Sequence, residues 1–245
     1  MPNILVTGAS RGIGRAIAQS LADRGARLAL HYRADAAGAE RTRKSLQGAG
    51  HIAVTGELSN AADVERLWRE VTRELGDIDV LINNAGIYSN HPPLTTDFAA
   101  WEAAWTATLG TNLLGAAHLS YFAAHAMAGR GAGRIVSISS RGAFRGEPTA
   151  PAYAASKAGL NAFSQSLAKA LAPRGVFVFV VAPGWVETER VAESIRNPAV
   201  IADQPLGRVA TPEEIAQVAT FCALDAPGSL TGAILDVNGA SYLRT

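Results

Sequence analysis

The sequence predicts an α/β protein built on one doubly wound, parallel β-sheet with helices on both faces. Two observations carry that expectation. Seven strand-sized runs of aliphatic and β-branched residues recur along the 245 residues, and stretches with helical periodicity separate them. Runs that are apolar throughout, without alternation, belong to strands covered on both sides. Strands that alternate with helices are joined by right-handed crossovers and lie parallel.

The first run, "NILVT" (3–7), leads into "TGASRGIG" (7–14), and Ile13, Ile17 and Leu21 then mark one face of a helix. "RLALHY" (27–32) and "HIAVT" (51–55) supply the second and third strands. Val64, Leu67, Val71 and Leu75 space the helix that follows. "DVLIN" (79–83) closes in "NNAG" (83–86), and a long helical stretch runs over about 98–128. "RIVSIS" (134–139), a helix over about 152–172, and "VFVFVVA" (176–182) come next. "TPEEIAQVATFCAL" opens with Thr211 at the N-cap, Pro212 at N1 and Glu214 at N3, a capping box with proline where it is tolerated. "AILDV" (233–237) is the last strand. No linker, repeat or low-complexity segment divides the chain, so residues 1–245 form one domain.

Composition narrows the function classes. With 48% apolar and 18% charged residues the chain has the make-up of a folded soluble protein. A net charge of +1 offers no field for nucleic acid or an anionic membrane, and "RTRK" (41–44) is a solvated helix face. The apolar stretch 113–129 is short for a bilayer span and carries His118 and His125. One cysteine, Cys222, forms no internal disulfide and no metal-ligand cluster, and no metal is expected. A reducing, cytoplasmic location follows by default.

Five features carry chemistry. The glycines of "TGASRGIG", between a strand and a helix, suit either a tight turn or a seat where a phosphate approaches backbone N–H groups. No Gly-Lys-Ser/Thr follows, which excludes a nucleotide-hydrolysing P-loop. Tyr153 and Lys157, at i and i+4, share a helix face. Bringing a tyrosine from a pKa of about 10 to about 7 takes roughly 4 kcal/mol, and one cation at ~4 Å supplies about that before desolvation opposes it. An ordinary exposed pair has the same spacing. "SISS" (137–140) ends the fifth strand with hydroxyls that either form a turn or hold a carbonyl oxygen. Asn83 to Gly86 are common turn residues at a strand end, and Asn112 in mid-helix marks an irregularity or a bound water.

Taken together, these features make the chain resemble the short-chain dehydrogenase/reductase family, with its Rossmann-type fold, from Val6 to about Gly239. The family's Thr-Gly-x-x-x-Gly-x-Gly loop falls on Thr7, Gly8, Gly12 and Gly14, and its Asn-Asn-Ala-Gly on Asn83 to Gly86. The resemblance implies a catalytic tetrad of Asn112, Ser140, Tyr153 and Lys157; the thirteen-residue interval to Tyr153 favours Ser140 over Ser139. It implies hydride transfer between a nicotinamide and a carbonyl/alcohol pair. Cofactor contacts are expected from Gly8, Ser10, Arg11, Gly12, Ile13 and Gly14 in the first loop, and from Tyr32 and Arg33 after the second strand. Others are expected from Glu57 and Leu58 after the third, Asn84, Ala85 and Gly86 after the fourth, and Tyr153 and Lys157. Pro183, Gly184, Val186 and Thr188 complete the set.

NAD-selective members usually carry an aspartate where this chain has Tyr32. Arg33 beside it, with Arg11 in the glycine loop, suits the 2′-phosphate of NADP(H), unless Arg33 merely points into water. Three departures stand out: Glu57 where an aspartate is usual, Phe179 where a polar residue is common, and "VNGASY" where many members have a double glycine.

Length and pattern are most similar to 3-oxoacyl-[acyl-carrier-protein] reductases. That resemblance implies a small carbonyl or alcohol substrate, free or borne by an acyl-carrier protein. Arg130 and Arg174 either receive that carrier at the mouth of the site or are solvated loop charges. A short lid at about 185–205 and a homotetramer or homodimer are further implications, and a non-catalytic NADP(H)-binding regulator on the same fold is the alternative.

Overall fold

The computed structural model describes residues 1–189, 191, 193, 195 and 197–244. Its sheet contains β1 (Asn3–Val6), β2 (Arg27–Tyr32), β3 (Ile52–Thr55), β4 (Val80–Asn83), β5 (Gly133–Ile138), β6 (Val176–Pro183) and β7 (Ile234–Val237). All pairings are parallel and the order is β3-β2-β1-β4-β5-β6-β7. Leu5 pairs with Ala29 on one side and Leu81 on the other, so strand order reverses between β1 and β4. Crevices at such reversals, beyond the carboxyl ends of the strands, are where ligands bind.

Alternate strand residues feed separate cores, as the two-residue period requires. Ile4, Val6, Leu28, Leu30 and Val136 pack on one face with Ile17, Leu21 and Ile215, while Leu5, Ala29, Leu81 and Ile135 pack on the other with Val64, Leu67, Val71 and Leu119. Burying both faces explains why these strands read as unbroken apolar runs, each large side chain contributing about 1.5–3 kcal/mol. Phe179, one of the departures, is a fully buried member of the first core, with the Arg134 guanidinium 5.8 Å from its ring.

The helices are α1 (Gly12–Asp23), α2 (Ala36–Ser45), α3 (Ala61–Leu75), α4 (Phe98–Leu109), α5 (Gly115–Arg130), α6 (Gly142–Arg145), α7 (Pro151–Leu171), α8 (Pro198–Ala202) and α9 (Pro212–Thr220). The capping box of α9 forms as expected. The long helix expected over 98–128 is interrupted by a π turn at Gly110–Leu114. Its glycines explain where it sits. A Cβ on Gly110 would come within 2.9 Å of Ser59 Cβ, and one on Gly115 within 2.7 Å of Leu58 Cβ, so the loop after β3 presses directly onto this backbone. Among the described residues, Ala240 is the one non-glycine with positive φ, at 61°, and it falls in the "VNGASY" departure.

Candidate active site

The loops after β1 and β4 are laced together at the reversal point. Thr7 Oγ1 accepts the N–H groups of Asn84 and Ala85, both at 2.9 Å, and Asn84 Nδ2 donates to Thr7 O (2.8 Å) and Gly8 O (3.1 Å). Gly8 and Gly12 both have positive φ. A Cβ on Gly8 would lie 2.9 Å from Ala85 Cα, and Gly14 has no room for one against Gly8 O. Glycine here is therefore a packing requirement as well as a conformational one.

α1 begins with no side-chain cap on its first turn, and Ser10 O is instead held by Arg15 Nη2 at 3.0 Å. Uncapped N–H groups at a helix start form a seat for an anion. A cleft of about 580 Å³ adjoins it, bordered by Gly12, Arg15, Thr188 and Glu189 among others. The turn and seat readings of "TGASRGIG" thus describe one loop, and its residues fit a dinucleotide pyrophosphate. At the other end, Tyr32 is half-buried while Arg11 and Arg33 are exposed. Arg33 Nη1 lies 3.9 Å from Glu57 Oε2, a loose ion pair on a guanidinium that remains largely in water. Glu57 N–H donates to Asp63 Oδ2 (2.9 Å), Leu58 is buried, and Asp35 is occupied as the N-cap of α2.

Sequence reading passed over His31, whose only signal is its place in an otherwise apolar strand. The ring is buried, Nδ1 accepts Gly8 N–H at 3.2 Å and Nε2 bonds Gly56 O at 3.0 Å. A carbonyl partner at Nε2 puts the proton there and leaves Nδ1 as the acceptor. Burial holds its pKa below the ordinary histidine value, which favours that neutral form.

The residues expected to form the tetrad lie on the π turn, just after β5 and on α7. α7 carries Tyr153 and Lys157 one turn apart, with Nζ 5.9 Å from the Tyr153 ring centre. Lys157 is buried, and its ammonium donates to Ile138 O at 2.7 Å, a partner that offsets part of the desolvation. Ser139 points inward, donating to Lys157 O at 3.4 Å, whereas Ser140 is half-exposed and accepts Gly142 N–H at 3.0 Å. Asn112, in the π turn, grips the loop after β4: Oδ1 accepts Ile87 N–H (2.8 Å) and Nδ2 donates to Ile87 O (3.0 Å). A Cβ on Gly86 would fall 3.4 Å from Asn112 Oδ1 and 3.5 Å from Lys157 Nζ, so both polar groups face one small space.

The segment after β6 runs back to the glycine loop. Pro183 O accepts Arg141 N–H (2.8 Å), Gly184 N–H donates to Val237 O (3.1 Å), and Val186 bridges to Ala210. Thr188 meets the glycine loop, its methyl 3.2 Å from where a Gly12 Cβ would be. Of the lid expected at about 185–205, Arg190, Ala192, Ser194 and Arg196 lie outside the described residues, and α8 occupies its latter part. Arg130 and Arg174 are not at the mouth of the site within one chain. Arg130 pairs with Asp77 at 3.1 Å and Arg174 donates to Ala128 O, both at the edge where the strands begin.

The candidate site thus sets an uncapped glycine turn at the strand-order reversal and, beyond β4 and β5, a tyrosine–lysine pair on one helix. A family model described as Enoyl-(Acyl carrier protein) reductase matches residues 8–240. The chain is 37% identical over 241 residues to the 3-oxoacyl-[acyl-carrier-protein] reductase FabG of Escherichia coli (strain K12), covering 98% of this chain and 96% of that one. It is 36% identical to an acetoacetyl-CoA reductase of Allochromatium vinosum, covering 98% of each, and 37% identical to a cis-4-hydroxycyclohexanecarboxylate dehydrogenase of Sinomonas cyclohexanicum, covering 96% and 94%. The protein belongs to the short-chain dehydrogenase/reductase family and is an oxidoreductase.

Proposed function

We propose that the protein interconverts a carbonyl and a secondary alcohol with NADP(H), acting on a 3-oxoacyl thioester or a related ketone. The supporting observation is that Lys157 Nζ, one turn from Tyr153, and Asn112 Oδ1 face one small space at Gly86, in the loop that Thr7 ties to the glycine turn, with Ser140 just after β5. The nicotinamide, when bound, supplies the hydride. In reduction, the Tyr153 hydroxyl gives its proton to the carbonyl oxygen, and Ser140 Oγ donates a hydrogen bond to that same oxygen as charge develops. The Lys157 ammonium stabilises the tyrosinate left behind and holds the nicotinamide ribose hydroxyls. Lys157 then passes a proton to the tyrosinate, and a water positioned by Asn112, with the backbone it orders, replaces the proton on Lys157.

Gly8, Ser10, Arg11, Gly12, Ile13 and Gly14 seat the pyrophosphate. Arg11 and Arg33 clamp the 2′-phosphate, with Arg33 leaving its loose pair with Glu57. Tyr32, Glu57 and Leu58 border the adenosine, while Asn84, Ala85 and Gly86 with Pro183, Gly184, Val186 and Thr188 wall the remainder. The 3-oxoacyl assignment draws on the names of the FabG and acetoacetyl-CoA reductase relatives, and the former extends it to substrates carried on an acyl-carrier protein. A cytoplasmic place suits it; among the described residues no helix is long and apolar enough to cross a membrane. Assembly as a homotetramer or homodimer is supported by Phe98, Leu114 and Tyr121, large side chains exposed along α4, the π turn and α5.

Steady-state turnover of NADPH and NADH with a panel of β-ketoacyl thioesters and small ketones tests this reading. The expected result is reduction with a higher kcat/KM for NADPH. A preference for NADH would overturn the cofactor assignment. Tight NADPH binding without turnover of any carbonyl would instead favour a binding protein.

A further inference from the structure

The helix that carries Tyr153 starts without a cap of its own. Ala150 stands at the N-cap of α7, where a hydroxyl or carboxylate is usual, and has no side-chain acceptor. The first-turn donors can be accounted for one by one. Pro151 has no N–H, and the N–H groups of Tyr153 and Ala154 reach Ala150 O at 2.9 and 3.3 Å. That leaves Ala152, and its N–H donates to His91 Nε2 at 3.1 Å.

His91 is held for this task. It is buried, 1% exposed, and its Nδ1 bonds Ser89 O at 2.8 Å. A carbonyl accepts only from a protonated nitrogen, so Nδ1 carries the hydrogen and Nε2 presents a lone pair. His91 N–H donates to Thr149 O at 2.7 Å, and the ring meets Trp101 edge-on at 5.4 Å. The same loop lays Tyr88 edge-on against the Tyr153 ring, 5.0 Å between centres, and is gripped at Ile87 by Asn112. The captured N–H belongs to the residue immediately before Tyr153.

We infer that His91 is a positioning residue: its neutral imidazole caps α7 from the loop after β4 and fixes Tyr153 relative to Asn112. The inference rests on the acid role proposed above for Tyr153. Two substitutions separate shape from hydrogen bonding. His91→Gln keeps an acceptor near the place of Nε2, and His91→Phe keeps the ring and removes it. With NADPH and acetoacetyl-CoA, His91→Phe is expected to lower kcat about tenfold, equivalent to about 1.4 kcal/mol. KM for NADPH is expected to stay within about twofold, and His91→Gln to recover most of kcat. An unchanged kcat in His91→Phe, or an equal loss in both variants, overturns the inference.

A second readout needs no substrate. Amide exchange over residues 150–157 should quicken in His91→Phe and not in His91→Gln, and unchanged exchange in both would overturn the cap. If His91→Phe does not fold, the nitrogen NMR spectrum of the unsubstituted protein decides: a His91 ring protonated at Nε2 excludes it. Tyr153→Phe, run alongside, keeps the two ideas apart. Full activity there sinks the acid role of Tyr153, while the exchange data still judge the cap.

Discussion

Lys157 is a buried ammonium bonded to a backbone carbonyl, close to Asn112 and one turn from Tyr153. Burial makes such a cation welcome a neighbouring anion, which is the form Tyr153 would take in the proposed reaction. Tyr153→Phe is therefore expected to lower kcat by about 10²–10⁴, the usual worth of a general acid, while NADPH affinity measured by fluorescence changes little. At Ala240 a side chain sits at φ 61°, where glycine is at ease. Ala240→Gly should raise stability by about 1 kcal/mol in a denaturant titration. Cys222 is fully buried, and burial pushes its thiol up to about 11. Alkylation at pH 8 should proceed only as fast as the protein opens; rapid labelling of the native state would contradict this. At this scale the family motifs were legible because each member is a distinctive residue type at a fixed interval; Ser139 turns inward to Lys157 O while Ser140 stays half-exposed. His31 and His91 were not legible. A histidine announces neither its tautomer nor the N–H it accepts, and both depend on partners 23 and 61 residues away.

Among the elements, α9 shows how a helix start responds to pH. Glu214 accepts Thr211 N–H at 2.8 Å and pairs with Arg208 at 2.8 Å, and chiefly the Arg208 hydrogen bond holds its pKa down at about 2, against 4.5 unperturbed. A depressed carboxylate pKa stabilises the fold above the unfolded value, and that contribution is lost as pH falls from 4.5 towards 2. Glu214→Gln should flatten this acid limb of the stability–pH profile; an unchanged limb would mean the cap is not coupled to folding. Strands and the capping box were legible because apolar runs and Thr-Pro-x-Glu depend on local sequence alone. The π turn was only half legible. Asn112 signalled an irregularity, but its extent is set by Ser59 and Leu58 pressing on Gly110 and Gly115, contacts between segments some fifty residues apart.

For the whole molecule, the exposed side chains of Leu114 (50%) and Tyr121 (59%) on the π turn and α5 bear on assembly. Leu114→Glu with Tyr121→Glu should shift light scattering to a smaller species without altering the monomer's circular dichroism; an unchanged mass would place the contact elsewhere. The sheet order also ties the two ends of the chain together. α1, which bears the glycine loop, is covered by α9: Thr220 Oγ1 donates to Ser20 Oγ at 2.8 Å, and Arg24 pairs with Asp225 at 3.0 Å. On a ribosome that partner emerges late. Until then the apolar side of the first helix is covered by the early strands alone, and its outer flank lacks α9. A truncated or stalled chain is thus a client for chaperones, however intact its tyrosine and lysine. Closure of α9 over α1 would time the end of synthesis and folding rather than their beginning.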